Sequence, residues 1–400
     1  MIRWDKGEER ERLSDMWQRI FHDTRPYIKF YFDQVYGKNE VLLEENEDGI
    51  RGMLHLNPYI LQAGGSDLAE LPAHYIVGVS TEEDYRRQGI MRSLLLESFR
   101  SLRERGEAFT YLMPADPAYY LPFSFRYGMK QYEQELALDQ AVRPQARYAY
   151  YRSSETGTAE YADAEQAYNA ETYALASKVD ESYLSRQEKE VSSEFGCLFY
   201  VKKYDEDRQQ ERPAGRFVVY AEDDCLSISS LVCYDREERE LFLREMIAFC
   251  DNRYHFRQYR ILYPEDWQTD LLKPASLDKM RLFYTRELPV IMFRILDLVS
   301  MGALLRADEE ISCRLYVTDT ELPEQEGAYE IHGGVNGLEI NRLSEDVRVD
   351  GSIDIADLTA RIFGDLDHSA EQLPAGFNEA AGLFWRKLRA IRPIQIPDIV

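Results

Sequence analysis

Residues 86–89, with the sequence Arg-Arg-Gln-Gly, have the composition of an anion-binding loop. They follow an apolar, β-branched run at 76–80 that predicts a strand, and they open a segment at 88–105 whose apolar residues recur at helical spacing. A helix start carries up to four backbone N–H groups without intrahelical partners, and it is the positive end of the helix dipole. The segment therefore predicts an anion site at a strand-to-helix corner.

The chemistry of this segment suits a ligand that carries phosphate. Gly89 allows the backbone to approach an anion closely, and Arg86 and Arg87 add forked donors that match phosphate. The preceding strand can offer backbone groups along an open edge, so the ligand should combine a pyrophosphate with an amide-bearing arm. Coenzyme A has that anatomy. Taken alone, the same residues would also fit an ordinary capped helix with solvated arginines.

The elements around this corner are predicted as mixed α/β structure. The first third should contain a helical segment at 10–36 that breaks at Pro26, strands at 40–56 and 73–80, the helix at 88–105 and a strand at 109–113. A strand–helix–strand order recurs at 226–233, 236–251 and 258–263, which indicates an internal duplication. From about residue 288 the pattern changes to a helix at 295–305, then short strands and turns, and ends in an extended tail at 392–400.

Composition excludes several classes of partner. The 400 residues carry a formal net charge of −24, so a nucleic acid is not expected to bind, whereas cationic ligands would be attracted. The five cysteines contain no Cys-x-x-Cys pair and the six histidines form no ligand pair at helical spacing, so no metal site is predicted. No apolar run is long enough to span a membrane and the N-terminus lacks a signal-peptide core, which predicts a cytoplasmic protein without a membrane partner.

Two motifs within residues 73–128 resemble the core of the GNAT-type N-acetyltransferases. Residues 86–91 match that family's Arg/Gln-x-x-Gly-x-Gly/Ala motif, with Met91 in the final small position. Residues 120–125 match its Tyr-x-x-x-Gly-Phe motif, with Ser124 in place of the glycine. The whole chain resembles the Eis (enhanced intracellular survival) type. That implies an α/β fold with mixed sheets, in which two tandem GNAT-like domains, 1–145 and 146–287, precede a sterol-carrier-protein-like α+β domain at 288–400.

The resemblance implies acetyl-CoA as a co-substrate and assigns residues to it. The thioester carbonyl would meet the strand backbone at Val77, Gly78 and Val79. The pyrophosphate would be held by the backbone N–H groups of Arg87, Gln88, Gly89, Ile90, Met91 and Arg92. A homo-oligomer, either a trimer or a hexamer, is also implied.

The matching corner of the second predicted domain lacks these features. It begins at Asp235 and continues Arg-Glu-Glu-Arg-Glu without a glycine. Carboxylates in a first helical turn complement the dipole themselves and would repel a pyrophosphate. One CoA site per chain is therefore predicted, in the first domain, and the second domain becomes a scaffold or one wall of the acceptor pocket.

The resemblance also implies the catalytic residues. Acetyl transfer to an amine needs a base for the amine, a donor for the oxyanion and an acid for the departing thiolate. Tyr120 is preferred as the acid because it occupies the tyrosine of the second motif. Tyr127 is the alternative. Eis-type enzymes use a tyrosine at the motif's last aromatic position as the acid, and this chain has Phe125 there. Tyr127 lies two residues further on, and residues i and i+2 of a strand share a face. The carboxylate of Val400 would be the base, with a frayed terminus as the alternative.

The acceptor pocket is predicted along the first helices. Tyr27, Phe30, Tyr31 and Asp33 lie at helical spacing and would give aromatic walls with a carboxylate suited to a cation, although the same residues would also fit a core. The sequence thus predicts an acetyl-CoA-dependent N-acetyltransferase acting on a cationic amine, namely an aminoglycoside-like compound, a polyamine or the lysine side chain of a peptide. The alternative is a non-catalytic protein that binds CoA, or a lipid in the C-terminal domain.

Overall fold

The structure is a computed structural model that describes residues 1–64, 70–205, 209–273, 280–344, 347–364 and 372–397. Its first part contains β1 (Ile2–Trp4), α1 (Arg10–Phe21), α2 (Arg25–Gln34), β2 (Glu40–Asn46), β3 (Gly49–Ala63), β4 (Glu70–Thr81), α3 (Ile90–Glu104), β5 (Phe109–Leu112) and β6 (Arg126–Leu138). The middle part contains β7 (Tyr148–Tyr151), α4 (Ala159–Thr172), β8 (Leu175–Ser177), α5 (Glu181–Ser193), β9 (Cys197–Asp205), β10 (Gln210–Ala221), β11 (Cys225–Cys233), α6 (Arg239–Tyr254), β12 (Gln258–Pro264) and β13 (Met280–Ile295). The last part contains α7 (Leu298–Met301), β14 (Ile311–Thr318), β15 (Gly327–Gly334), β16 (Gly337–Arg342), β17 (Gly351–Asp354), α8 (Ile355–Phe363), α9 (Glu379–Lys387) and β18 (Ile394–Gln395).

The predicted α/β class with mixed sheets is confirmed. One large sheet runs in the order β1-β2-β3-β4-β5-β13-β6-β12-β11-β10-β9-β7, with β8 and β18 attached beside β3. A smaller sheet in the last part has the order β16-β15-β14-β17. Among the described residues, no helix is both long and apolar enough to cross a membrane.

The first helices cover opposite faces of the large sheet. On β3, Met53 packs in one cluster with Trp17 of α1 and Tyr31 of α2. Its neighbour Leu54 packs in another cluster with Leu94 of α3. Because successive residues of a strand point to opposite faces, α1 and α2 lie on one face and α3 on the other.

β13 joins the first and middle parts of the chain. Its end, Met292 to Ile295, pairs antiparallel with β5, and most of its length pairs antiparallel with β6. β6 in turn pairs with β12 of the middle part. The boundary that the sequence predicts between residues 287 and 288 falls inside this continuous strand. The division into three domains stays a prediction.

The predicted helix at 295–305 is replaced by a strand end and a short helix. Ile295 is the last residue of β13, where it pairs with Phe109 of β5. Asp297 then caps α7, because its side chain accepts a hydrogen bond from the backbone N–H of Ser300 at 2.8 Å. The apolar residues near 295 fit either a helix or a strand. They form a strand here because they pair with β5, which is distant in the sequence.

The last part is anchored to the large sheet through buried contacts. Phe363 of α8 stacks on Phe293 of β13 with ring centroids 4.2 Å apart. Arg294 of β13 forms a fully buried ion pair with Asp319, in which Nη2 of the arginine donates to both carboxylate oxygens at 2.7 Å. The apolar side of α8 is therefore used for packing against the sheet. The likeness of this part to a sterol-carrier protein stays a prediction.

Candidate active site

β4 contains a bulge at the residues predicted to meet the thioester. Met53 lies opposite Ser80 and His55 lies opposite Val77, so β4 has one more residue than β3 in this interval. Gly78, inside the bulge, has a φ of +62°, and a Cβ there would lie 2.6 Å from Cζ3 of Trp17. Both the backbone conformation and the close approach of the indole therefore require glycine.

The bulge borders a gap in the large sheet. β4 and β5 are parallel neighbours, and they pair in register only at Tyr75 and Tyr111 within the described residues. β4 continues to Thr81, whereas β5 ends at Leu112. The backbone beyond Tyr75 is therefore open on the side of β5, which suits an extended ligand that pairs like a strand.

An amide cradle lies at the start of α3. Arg87 and Gly89 have φ values of +61° and +81°, and Gly89 is the N-cap without a capping side chain. Among the described residues, none accepts a hydrogen bond from the backbone N–H groups of 87–92, and the next amide, that of Ser93, donates to the carbonyl of Gly89 at 3.0 Å. Arg86 and Arg87 are exposed beside these amides. The arrangement fits a pyrophosphate.

The side chains that follow the cradle have other partners. Ile90 is buried in the hydrophobic cluster that contains the apolar side of α3. Met91 is partly buried and packs against the same cluster. The guanidinium of Arg92 forms an ion pair with Glu321 of the last part at 2.6 Å. These residues would therefore contribute their amides to the cradle, and the cationic side chains available there are those of Arg86 and Arg87.

The corresponding corner at α6 is closed by carboxylates. Asp235 accepts a hydrogen bond from the backbone N–H of Glu237 at 3.1 Å. The Glu238 carboxylate accepts from the Tyr148 hydroxyl at 3.0 Å and forms an ion pair with Lys203. Acidic oxygens thus occupy the helix start that phosphate oxygens would need.

Tyr120 is buried in the same hydrophobic cluster as the apolar side of α3. It lies between two short 3-10 turns, is 8% exposed, and packs edge-on against Phe125 with ring centroids 5.8 Å apart. Burial raises the pKa of Tyr120 to about 12, so its hydroxyl stays protonated near neutral pH. Ser124, which replaces the motif's glycine, has a φ of +64°, so the backbone keeps the left-handed conformation that glycine favours.

Tyr127 has different surroundings from Tyr120. It is half-buried on β6 opposite Met292 of β13. With Pro289, Gly364 and Arg392 it lines a narrow crevice near the end of α8 and the C-terminal tail. The structure therefore does not bring the two candidate acids into one common environment.

The C-terminal tail is docked as far as Pro397. β18 pairs in parallel with β8, and the backbone N–H of Ile396 donates to Sδ of Met129 at 3.4 Å. Ile394 and Ile396 are fully buried. Val400 and the two residues before it lie outside the described residues.

The three predicted aromatic residues of the acceptor pocket lie on α2 and are mostly core. Tyr27 is 4% exposed, Phe30 7% and Tyr31 1%. The ring of Tyr31 lies 4.5 Å from that of Trp17, which itself covers Gly78. Tyr31 is therefore part of the wall behind the bulge.

Asp33 lies apart from this wall. Its carboxylate forms ion pairs with Arg10 of α1 and Lys29 of α2 at the surface. Hydrogen bonds from these two cations lower the pKa of Asp33. Asp33 and Tyr31 lie two positions apart on the same helix. Side chains at i and i+2 of a helix do not share a face, so these two point to different sides. A cationic acceptor would have to displace two existing partners to reach it.

A buried polar cluster behind the bulge has no signal in the sequence. The Tyr31 hydroxyl donates to Oδ1 of Asn57 at 3.0 Å and accepts from Nδ2 of Asn39 at 3.1 Å. Nδ1 of His55 lies 3.2 Å from the same hydroxyl, and burial lowers the pKa of His55 to about 3, so the ring is neutral. Its Nε2 is buried, and no hydrogen-bond partner for it lies among the described residues. These residues come from α2, β3 and the loop between α2 and β2, so no local spacing could group them.

Residues 2–128 match the acetyltransferase (GNAT) domain family. This part of the chain is a GNAT acetyltransferase domain. The predicted enzyme class, an N-acetyltransferase, is confirmed, and the GNAT domain holds the bulge, the open edge of β4 and the amide cradle. GNAT acetyltransferases use acetyl-CoA, and the unpartnered amides and exposed arginines of the cradle fit its pyrophosphate. No group of three or more His, Cys, Asp or Glu side chains in the described ranges is arranged to hold a metal ion.

Solved structures with the same fold extend over the whole chain. A conserved protein of unknown function from Enterococcus faecalis V583, a probable N-acyltransferase, is 15% identical over 100% of this chain and 99% of its own, with a TM-score of 0.79. A GCN5-related N-acetyltransferase from Anabaena variabilis is 15% identical over 100% of both chains, with a TM-score of 0.78. Eis1 from Mycobacterium abscessus is 14% identical over 96% of both chains, with a TM-score of 0.66. At these identities the likeness shows the fold. No curated protein matches the sequence.

The contrast between the two helix starts predicts where CoA binds. We expect the variant Arg86→Ala/Arg87→Ala to bind CoA roughly tenfold more weakly, because two charge-assisted contacts to phosphate are lost. Isothermal titration calorimetry at fixed ionic strength measures this. The matched control is Arg236→Ala at the start of α6, which should change the dissociation constant by less than about twofold. Equal weakening by both variants would contradict the assignment.

Proposed function

We propose that this protein transfers the acetyl group of acetyl-CoA to a cationic amine. The observation that carries the proposal is the gap beside β4, which has an amide cradle on the face of α3 and a wall of aromatic residues on the face of α1 and α2. The formal net charge of −24 supports a cationic acceptor, since it raises the local concentration of positively charged ligands.

Acetyl-CoA, when bound, supplies an acetyl group activated as a thioester. Backbone N–H groups at Val77, Gly78 or Val79 would stabilise the carbonyl oxygen as negative charge develops on it. The new bond joins the amine nitrogen to the carbonyl carbon, and the carbon–sulfur bond breaks. Tyr120 would give its proton to the departing sulfur, and its raised pKa keeps that proton available near neutral pH.

The base proposed for the amine is the carboxylate of Val400. The docking of Ile394 and Ile396 supports this, because it fixes the tail against β6 and β8. The segment that leads to the terminus is therefore held beside Met129 and β8 up to Ile396, which argues against fraying of that segment.

The alternative of a lipid- or CoA-binding protein without activity has less support. The apolar side of α8 packs against Phe293 and the large sheet, so that surface is already covered. The substitution at Ser124 keeps the left-handed backbone of the motif. A homo-oligomer and a cytoplasmic location stay predictions.

Release of free thiol from acetyl-CoA tests the proposed reaction. We expect release to depend on an added amine, with cationic primary amines such as spermidine, 1,5-diaminopentane or an aminoglycoside accepted over neutral hydroxyl compounds. A thiol reagent follows the rate, and mass spectrometry checks that the amine gains one acetyl group. Tight CoA binding without amine-dependent release from any member of the panel would favour the binding-protein alternative.

The assignment of the acid predicts different effects for two tyrosines. We expect Tyr120→Phe to lower kcat by roughly a hundredfold, the lower end for loss of a general acid, while the dissociation constant of CoA changes little. Tyr127→Phe is the matched control. If Tyr127→Phe lowers kcat and Tyr120→Phe does not, Tyr127 is the acid.

The assignment of the base predicts that the end of the tail is needed for turnover. Deletion of residues 398–400 should lower kcat by roughly a hundredfold or more, because the carboxylate is removed from its position. The melting temperature should be kept, since the deletion leaves Ile394 and Ile396 in place. Val400→Ala retains a carboxylate of the same reach and serves as the control. Unchanged kinetics in the deletion variant would remove the terminus from the mechanism.

A further inference from the structure

Ion pairs join α3 to the last part of the chain at two places near its cradle end and its middle. Nη1 of Arg92 lies 2.6 Å from Oε2 of Glu321, and Nε of Arg100 lies 3.3 Å from Oε1 of Glu324. Because a helix rises about 1.5 Å per residue, the two arginines are about 12 Å apart along α3. The ion pair of Arg92 is therefore at the cradle, while that of Arg100 is about two turns further along the helix.

Glu321 lies on a turn that is fixed to the large sheet. The carboxylate of Asp319 accepts hydrogen bonds from the backbone N–H groups of Glu321 at 3.2 Å and of Leu322 at 3.0 Å. The same carboxylate is paired with Arg294 of β13, the strand beside β5. The position of Glu321 is thus set by the sheet to which the strands of the GNAT domain also belong.

The two members of the Arg92–Glu321 pair differ in burial. Glu321 is 8% exposed, whereas the side chain of Arg92 is 50% exposed. Among the described residues, Arg92 is the one cation within ion-pair distance of this carboxylate. A carboxylate that has been removed from water needs a charged or hydrogen-bonded partner, so Glu321 holds the guanidinium at one place beside α3.

The guanidinium of Arg92 covers the turn that carries Tyr120. Its Cζ lies 5.9 Å from the ring centroid of Phe123, which is within the range of a cation–π contact. The backbone N–H of Phe123 donates to the carbonyl of Tyr120 at 2.9 Å. We call residues 120–124 the Tyr120 turn. Because this hydrogen bond closes the turn, a contact that fixes Phe123 also fixes Tyr120.

Two further contacts support the Tyr120 turn from within the GNAT domain. Phe125 packs edge-on against Tyr120, as described above. Nη1 of Arg126, the first residue of β6, donates to the carbonyl of Leu121 at 3.2 Å. The contact of Arg92 with Phe123 differs from these two, because it depends on an ion pair with the last part of the chain.

Arg92 also belongs to the predicted cradle. Its backbone N–H is one of the amides that have no acceptor among the described residues. One residue therefore connects the place expected for the pyrophosphate with the turn expected to carry the acid. Such a connection matters for the rate, since a displacement of about 1 Å at a reacting group can cost roughly a hundredfold.

We infer that Arg92 and Glu321 are positioning residues, which together hold the Tyr120 turn where the Tyr120 hydroxyl can give its proton to the departing sulfur. The inference rests on the proposed function and gives the last part of the chain a share in acetyl transfer. The chemical step itself is unchanged, because the hydroxyl proton goes to the sulfur as the carbon–sulfur bond breaks. Arg92 and Glu321 act through Tyr120 and exchange no proton.

Two variants that change the local charge in opposite directions test this inference. Arg92→Gln removes a positive charge beside the cradle, and Glu321→Gln removes a negative one. We expect both to lower kcat roughly tenfold in the thiol-release assay, because both loosen the Tyr120 turn. The dissociation constant of CoA should rise in Arg92→Gln and fall in Glu321→Gln, each by less than about threefold. Opposite changes in kcat would show that the pair acts on the cradle alone, and the inference would be wrong.

The matched control is the double variant Arg100→Gln/Glu324→Gln. It breaks an ion pair between the same helix and the same part of the chain, at a distance from the Tyr120 turn. Its kcat should stay within about twofold of the wild-type value. Melting temperatures check that all variants are folded. An equal loss of kcat in the control would assign the effect to a general loosening of α3 and overturn the inference.

The Tyr120→Phe background separates action through Tyr120 from any other role of Arg92. The hydroxyl is absent in this background, so adding Arg92→Gln should lower kcat further by less than about twofold, where the effect in the wild type is roughly tenfold. A merely structural role would give the same loss in both backgrounds. That result would contradict the inference.

A fluorine label gives a readout that does not depend on turnover. 3-Fluorotyrosine in place of Tyr120 gives one fluorine NMR signal, which we expect to shift or broaden in Arg92→Gln and Glu321→Gln and to stay unchanged in the control. A signal that is the same in all variants would overturn the inference. A signal that responds as expected, in a protein that acetylates no amine, would support the positioning of the turn and overturn the proposed function.

Discussion

The open edge of β4 beyond Tyr75 is the constraint on which the rest of the site depends. A parallel neighbour normally pairs along its whole length, but among the described residues β5 pairs in register with β4 only at Tyr111, and it ends at Leu112. The bulge at Gly78 falls within the open interval, and the close indole of Trp17 leaves no room there for a side chain. Because this short interval lacks a protein partner, an extended ligand can take the position of the missing strand.

On the side of β5 away from this gap, the GNAT domain pairs with a strand from the middle of the chain. β5 and β6 are not neighbours, and β13 lies between them in the large sheet. The family match ends at residue 128, before this strand is reached along the chain. The region that holds the bulge is therefore completed by residues 280–295 and is further fixed to the last part by the buried pair of Arg294 and Asp319.

Local patterns in the sequence predicted the elements around the amide cradle well, while the CoA-binding residues themselves stay a prediction. The helix expected at 88–105 begins at Ile90 and ends at Glu104, and the open amides lie where the glycine and arginines indicated. What the sequence did not predict depends on pairing between distant segments. Examples are β13 between β5 and β6, and the neutral His55 among Tyr31, Asn39 and Asn57. Spacing within one helix also misplaced Asp33, because period alone does not say which side faces the bulge.

The starts of α3 and α6 differ in the charged groups that surround them. At α3 the amides have no partner within the described part of the chain and arginines lie beside them, whereas at α6 Asp235 and Glu238 occupy the corresponding positions. The middle part also contacts other elements of the GNAT domain. Its β8 pairs with β18 of the C-terminal tail, and its α5 packs against α2, where Lys189 donates a hydrogen bond to Gln34. The middle part thus contacts the GNAT domain on the side of α2, which is the side that the proposed function gives to the acceptor.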